Sequence, residues 1–219
     1  MDKMILTFDC YGTLVDTSSF MAEIGRIAQE NGQDAQKMQA AFVCNKERLM
    51  YAEPFTRFDE LIPAALERCD MELGIRCMVN YAERIIEAKK SLKPFPEVIK
   101  TLSVLKERGY SLVLMSNSCY SIMESNDAAL GNPFDRLILA EDMQAYKPKL
   151  EFFKQTEELL NLKNVEHCHV AQGYFYDIIP AARVGWNRIW VNRNGELGSA
   201  AQQPYTEVRT LDQILSVFV

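Results

Sequence analysis

Short, nearly uninterrupted apolar runs recur along this chain, and between them the apolar residues return every three or four positions. The runs are Met4–Phe8, Ser111–Met115, Arg136–Leu139, His169–Ala171 and Arg188–Val191. Brief apolar stretches without alternation are the signature of strands buried on both faces, and the helical spacing between them predicts a parallel sheet covered by helices, an α/β fold. A helix over 97–108 follows Pro96, which suits a first turn, and stops before Gly109. Near the far end, Thr210 and Gln213 have capping-box spacing and predict a last helix.

One stretch breaks the alternation. From about Ser18 to Ser91 no strand-like run occurs, only amphipathic patterns such as Phe58-Leu61-Ile62-Ala65-Leu66 and Tyr81-Ile85-Ile86. Asp16-Thr17-Ser18-Ser19 marks its start and Lys93-Pro94-Phe95-Pro96 its end, where prolines disfavour a continuing helix. The expected organisation is a core of residues 1–16 and 94–219 with an all-helical insertion of residues 17–93. Because the insertion leaves the core just after Asp9, it is expected to act as a lid that excludes water and selects substrate. A purely structural helical subdomain is the alternative.

Composition narrows the partners. With 219 residues, 48% of them hydrophobic, the chain can bury a substantial core and is not a disordered one. A formal net charge of −6 argues against nucleic acid or an anionic membrane surface as partner, which leaves a small-molecule substrate. Six cysteines without a C-x-x-C pair, and no basic leader followed by an apolar segment, predict a reduced, cytoplasmic protein. No apolar run approaches the roughly 20 residues needed to span a bilayer.

Candidate chemistry sits just past the predicted strands. Asp9 ends the first run, and Gly12-Thr13 follows in a tight turn, at the sheet edge where open α/β sheets bind ligands. Ser116 and Asn117 follow the second run, Tyr146-Lys147-Pro148 the third, and Gln172-Gly173-Tyr174-Phe175-Tyr176-Asp177 the fourth. Taken singly, these are ordinary caps, turns or a solvated lysine. Together they place two carboxylates and an ammonium at one edge, with coupled titrations. Asp9 can then attack substrate, and Asp177 can orient or deprotonate the water that hydrolyses the resulting ester. His167 and His169 flank Cys168 at alternating positions, which places both on one packed or surface face rather than in a metal site.

In order and spacing these segments resemble the haloacid dehalogenase (HAD) superfamily of hydrolases over nearly the whole chain. The resemblance implies a Rossmann-like parallel-sheet core with an inserted all-helical cap domain. It also implies Asp9 as nucleophile, Ser116 as second-motif hydroxyl, Lys147 as third-motif lysine and Asp177 as fourth-motif acid. Phosphatases of this superfamily carry Asp-x-Asp, the second acid protonating the leaving group. Here Asp9-x-Tyr11 stands instead, and a phenol of ordinary pKa about 10 is a poor acid, whereas halide departs without a proton.

Asp9-Cys10-Tyr11-Gly12-Thr13, with Ser116-Asn117, Tyr146-Lys147-Pro148 and Trp190-Val191-Asn192-Arg193, is similar to the L-2-haloacid dehalogenase branch. That implies a covalent aspartyl intermediate without a metal or other cofactor. Thr13 would shape the nucleophile loop; Cys10, Tyr11 and Asn117 would contact substrate. Departures from the branch are Asn45 for a halide-receiving cap arginine, with Lys46 and Arg48 nearby, Gln172 and Tyr174 for a serine and an asparagine, and Phe153 for a tyrosine. Two other readings stay open: a Mg²⁺-dependent phosphatase with the ion on Asp9, the Tyr11 carbonyl and Asp177, and a catalytically weak metabolite- or partner-binding protein. A homodimer is implied by the resemblance alone.

Overall fold

The computed structural model describes residues 4–218. Its strands are β1 (Ile5–Phe8), β2 (Val15–Asp16), β3 (Lys93–Pro94), β4 (Ser111–Ser116), β5 (Arg136–Leu139), β6 (His167–Ala171), β7 (Arg188–Val191) and β8 (Thr206–Val208). Six of them form one parallel sheet in the order β5-β4-β1-β6-β7-β8, while β2 and β3 pair antiparallel. Each predicted run is a strand of this sheet, and β6, at its centre, is buried throughout. Full burial of side chains such as Phe8, Leu114 and Val170 stabilises the fold by about 1.5–3 kcal/mol apiece. From β1 the chain steps outward to β4 and β5, then returns to β6 on the other side, so the winding reverses beside β1. At such a reversal the loops leaving adjacent strands diverge, and a crevice opens beyond their carboxyl ends.

The helices are α1 (Ser18–Glu30), α2 (Ala35–Met50), α3 (Phe58–Leu73), α4 (Ala82–Lys90), α5 (Val98–Glu107), α6 (Tyr120–Ala129), α7 (Ala140–Met143), α8 (Leu150–Leu159) and α9 (Ile179–Arg183). By contact the chain divides into two compact units: an α/β unit comprising the chain through Asp16, Lys93–Asn117 and the chain from Asp127 on, and a helical unit of Thr17–Leu92 with Ser118–Asn126. Inside the helical unit, Phe20, Ile24, Ile27, Met38, Phe42, Leu61, Ile62 and Leu66 are buried. Asp34 caps α2 by accepting from the Lys37 amide at 2.8 Å, and Gly74, at φ +68°, closes α3 in the left-handed conformation that glycine adopts without cost.

Three details depart from the sequence expectation. Ser118–Asn126 was expected with the core but groups with the helices, because Asn126 donates to the Lys89 carbonyl and Ser121 to Asp59. Thr210 caps nothing with its side chain, the last segment is a tight 3₁₀ run over Leu211–Ser216, and Gln213 accepts from the Arg209 amide. Strand β8, mostly exposed and short, carried no apolar run to predict it. No described helix is long and apolar enough to cross a membrane.

Candidate active site

The loop after β1 is built to present one carboxylate. The Asp9 amide donates to the Val170 carbonyl of β6 at 3.1 Å, and the Leu14 and Val15 amides both close back on the Cys10 carbonyl. Gly12 lies at φ +81°, and a Cβ there would also come within 3.0 Å of the Gln172 side-chain oxygen, so the turn requires glycine. Thr13 Oγ1 donates to Asp9 Oδ2 at 2.7 Å while accepting from the Gln172 amide at 2.8 Å, which ties the β1 loop to the β6 loop. The Arg193 guanidinium holds the same turn from outside. It donates to the Thr13 carbonyl, pairs with Glu97 at 2.7 Å and stacks on Phe95.

Lys147 enters from the loop between α7 and α8 and is 1% exposed. Its ammonium donates to Asp9 Oδ1 at 2.9 Å, Asp177 Oδ1 at 2.6 Å and the Met115 carbonyl at 2.9 Å, so all three protons are used. Asn117 was expected to hold substrate. Instead its amide brackets the Lys147 backbone, accepting from the Lys147 N–H at 2.7 Å and donating to the Lys147 carbonyl at 2.9 Å. Asn117 thereby positions the lysine.

Asp177 sits on a π-helical turn, Tyr174–Ile178, ahead of α9. Such a turn inserts an extra residue per winding and re-aims side chains, which is why it concentrates at functional sites. The Asp177 and Ile178 amides both bond the Gly173 carbonyl. A Cβ at Gly173 would lie 2.5 Å from Asp177 Oδ2, so only glycine leaves that oxygen its place.

His169, read from the sequence as a packed face residue, is fully buried and belongs to this cluster: Nε2 lies 3.1 Å from Asp177 Oδ1, and Nδ1 lies 2.9 Å from Thr7 Oγ1. Only the pairing of Thr7 with His169 across β1 and β6 reveals this, and sequence spacing carries no such register. Gly173 was likewise passed over, although a glycine four residues ahead of a candidate acid was a usable signal.

Burial pushes the Asp9 carboxyl up from its ordinary value, the charge of Asp177 adds to this, and Lys147 and Thr13 oppose it. Burial also acts to raise Asp177, but there Lys147 and the donor from His169 win and hold it below the usual carboxylate range. For Lys147 the loss of water is outweighed by the two carboxylates, which raise it. Of the two carboxylates, Asp9 is therefore the more basic, hence the more nucleophilic.

Ser116 ends β4 fully buried, and its hydroxyl has no hydrogen-bond partner among the described residues. Cys10 is fully buried and Tyr11 half-buried in the turn. The departures from the family pattern have been absorbed structurally. Asn45, in the helical unit, donates to Glu72 and the Ala41 carbonyl; Phe153 packs edge-on against His169; and the Tyr174 hydroxyl is held by the backbone of Ser199. Among the described residues no group of three or more His, Cys, Asp or Glu side chains could hold a metal ion, and the Oδ1 atoms of Asp9 and Asp177 both serve the Lys147 ammonium.

A model of the haloacid dehalogenase-like hydrolases matches residues 3–185. The chain is 27% identical to haloacetate dehalogenase H-2 of Moraxella sp. (strain B), over 96% of this chain and 95% of that protein. It is 30% identical to the glyceraldehyde 3-phosphate phosphatase of Methanocaldococcus jannaschii, over 84% and 82%. In fold it is similar to the L-2-haloacid dehalogenase from Xanthobacter autotrophicus, with a TM-score of 0.80, 17% identity, and coverage of 99% of this chain and 98% of that one.

Proposed function

We propose, from the premise that this chain belongs to the haloacid dehalogenase-like hydrolases, that it hydrolyses small 2-halo or otherwise 2-substituted carboxylic acids through a covalent ester on Asp9. The observation that carries the reading is the buried trio of Asp9, Lys147 and Asp177, with a tyrosine at position 11 where a leaving alkoxide would need an acid. A carboxylate oxygen of Asp9 attacks C2, and halide leaves with the bonding pair, needing no proton. Water then adds to the ester carbonyl of Asp9, Asp177 accepts its proton, and collapse expels the 2-hydroxy acid and restores the Asp9 carboxylate.

Thr13 and Lys147 orient and balance the nucleophile, and Ser116 offers a buried hydroxyl to the substrate. Cys10 and Tyr11 line the turn beside the attacking group. We take the reaction to be metal-independent, since the Lys147 ammonium already bridges both carboxylates and Gln172 stands where a further acid would be needed. A cytoplasmic location fits six free cysteines, and a homodimer rests on the family resemblance alone.

The 30% identical phosphatase favours a second reading, a Mg²⁺-dependent phosphatase using Asp9, the Tyr11 carbonyl and Asp177. Halide release from 2-chloropropionate in chelator, measured beside phosphate release from a phosphoester panel with Mg²⁺, tests both. Halide without metal is expected. Phosphate release that depends on Mg²⁺, with no halide, would overturn the dehalogenase reading, and ligand binding without either product would leave a binding protein.

A further inference from the structure

The deepest polar group beside the carboxylates is one the chemistry above leaves unused. His169 is fully buried in β6, with its ring edge-on to Phe153 and near Trp186, so it cannot exchange partners with water. Asp177, as an ionised carboxylate, only accepts hydrogen bonds, so Nε2 must carry the proton and donate to Oδ1. Thr7 Oγ1, 2.9 Å from Nδ1, holds the other side of the ring.

Asp177 Oδ1 thus receives two donors, Lys147 Nζ at 2.6 Å from a loop and His169 Nε2 at 3.1 Å from β6. Among the described residues no hydrogen bond reaches Oδ2, which lies where a Cβ on Gly173 would come within 2.5 Å of it. Lys147 alone could not fix the carboxylate, because it is shared with Asp9 and with the Met115 carbonyl. Once Asp9 becomes an ester its negative charge is gone, and the ammonium loses half of its carboxylate partnership. His169 is then the donor whose grip on Asp177 does not depend on the state of Asp9.

We propose that His169 is a positioning residue for the second half of the reaction: it pins Asp177 Oδ1 so that Oδ2 stays aimed at the hydrolytic water while Asp9 is esterified. This rests on the covalent mechanism proposed above. In that step water's oxygen bonds to the ester carbonyl carbon, its proton passes to Asp177 Oδ2, and the ester C–O bond to the 2-hydroxy acid breaks. Formation of the ester, which uses Asp9 and releases halide, does not pass through His169.

The test is a rapid-quench experiment with 2-chloropropionate, reading halide, hydroxy acid and the mass of the intact protein in the same samples. For His169→Phe, halide is expected in a burst at near the parent rate. Hydroxy acid should appear about 10- to 100-fold more slowly, the cost of a misaligned group, with the ester mass accumulating on the protein. His169→Gln, which restores a donor near the Nε2 position, should recover most of the second step. Thr7→Val, which frees the ring without removing it, should show the same imbalance more weakly and serves should the Phe variant fail to fold. Equal slowing of both halves, or no accumulation of ester in any variant, would overturn the role of His169 while leaving the covalent mechanism standing. No halide from the parent protein would overturn both.

Discussion

Strand β6 carries two histidines on the same face, one at its start and one at its middle, and they have opposite fates. Toward the carboxyl edge, His169 is fully buried and both ring nitrogens have partners, in a cluster where every buried charge is answered by another. Toward the amino edge, His167 is also buried, against Trp186 at 4.9 Å between ring centroids, but its Nε2 has no partner among the described residues. Burial, then nearby His169, push its pKa down to about 4, with Glu157 opposing. One part of the strand spends free energy holding charge in place; the other keeps its histidine neutral and simply packs it. Burial of a polar residue does not mark a site by itself. Convergence of partners from separate segments of the chain does.

The contrast breaks most severely at Lys147. Lys147→Met strands two buried carboxylates without their shared cation, and the expected cost is about 3–5 kcal/mol in denaturant-unfolding free energy, with loss of activity. A variant as stable as the parent would show that the ammonium is not what makes the acidic pair tolerable.

Gly173→Ala comes next. Its Cβ would meet Asp177 Oδ2 at 2.5 Å, so the turn must shift, for an expected 1–3 kcal/mol at about the usual cost of overpacking, and turnover should fall more than stability does. Unchanged kinetics would place the working oxygen elsewhere.

At the amino edge the effect is pH-dependent and smaller. A histidine held neutral in the fold, with its pKa lowered from 6.5 to about 4, binds fewer protons folded than unfolded between those values. Its contribution is therefore full above pH 6.5 and is lost as the pH falls toward 4, by at most about 3 kcal/mol and less where water reaches the ring. His167→Phe should flatten the stability profile over that window without altering turnover at neutral pH. A profile identical to the parent's would remove His167 from the comparison.

The smallest effect belongs to the pairs of half-buried Arg84 with Glu23 and Glu30 in the helical unit. Arg84→Ala is expected to leave the melting temperature nearly unchanged, because ion pairs that water and salt can reach hold little.

Apolar runs were enough to locate the central strands and, through them, the edge at which Asp9, Lys147 and Asp177 meet, since a run buried on both faces has few other structures available to it. What escaped were features that depend on pairing. β2 and β3 are two residues each, and β8 is mostly exposed, so none of the three carries a hydrophobic signal. The part played by His169 is set by its register opposite Thr7, and that of Asn117 by the path of the Lys147 backbone, neither of which leaves a trace in spacing. Thr210 and Gln213 matched a capping pattern, yet the tight 3₁₀ geometry sent Gln213 to the Arg209 amide instead.

The central claim is that Asp9 is the attacking atom's owner. A single turnover with enzyme in excess over 2-chloropropionate, in water enriched in heavy oxygen, decides it. The label is expected in the carboxylate of Asp9, read by peptide mass spectrometry, with the first molecules of hydroxy acid unlabelled. Label in the product and none in Asp9 would mean that water attacks the substrate directly, and would contradict the covalent mechanism.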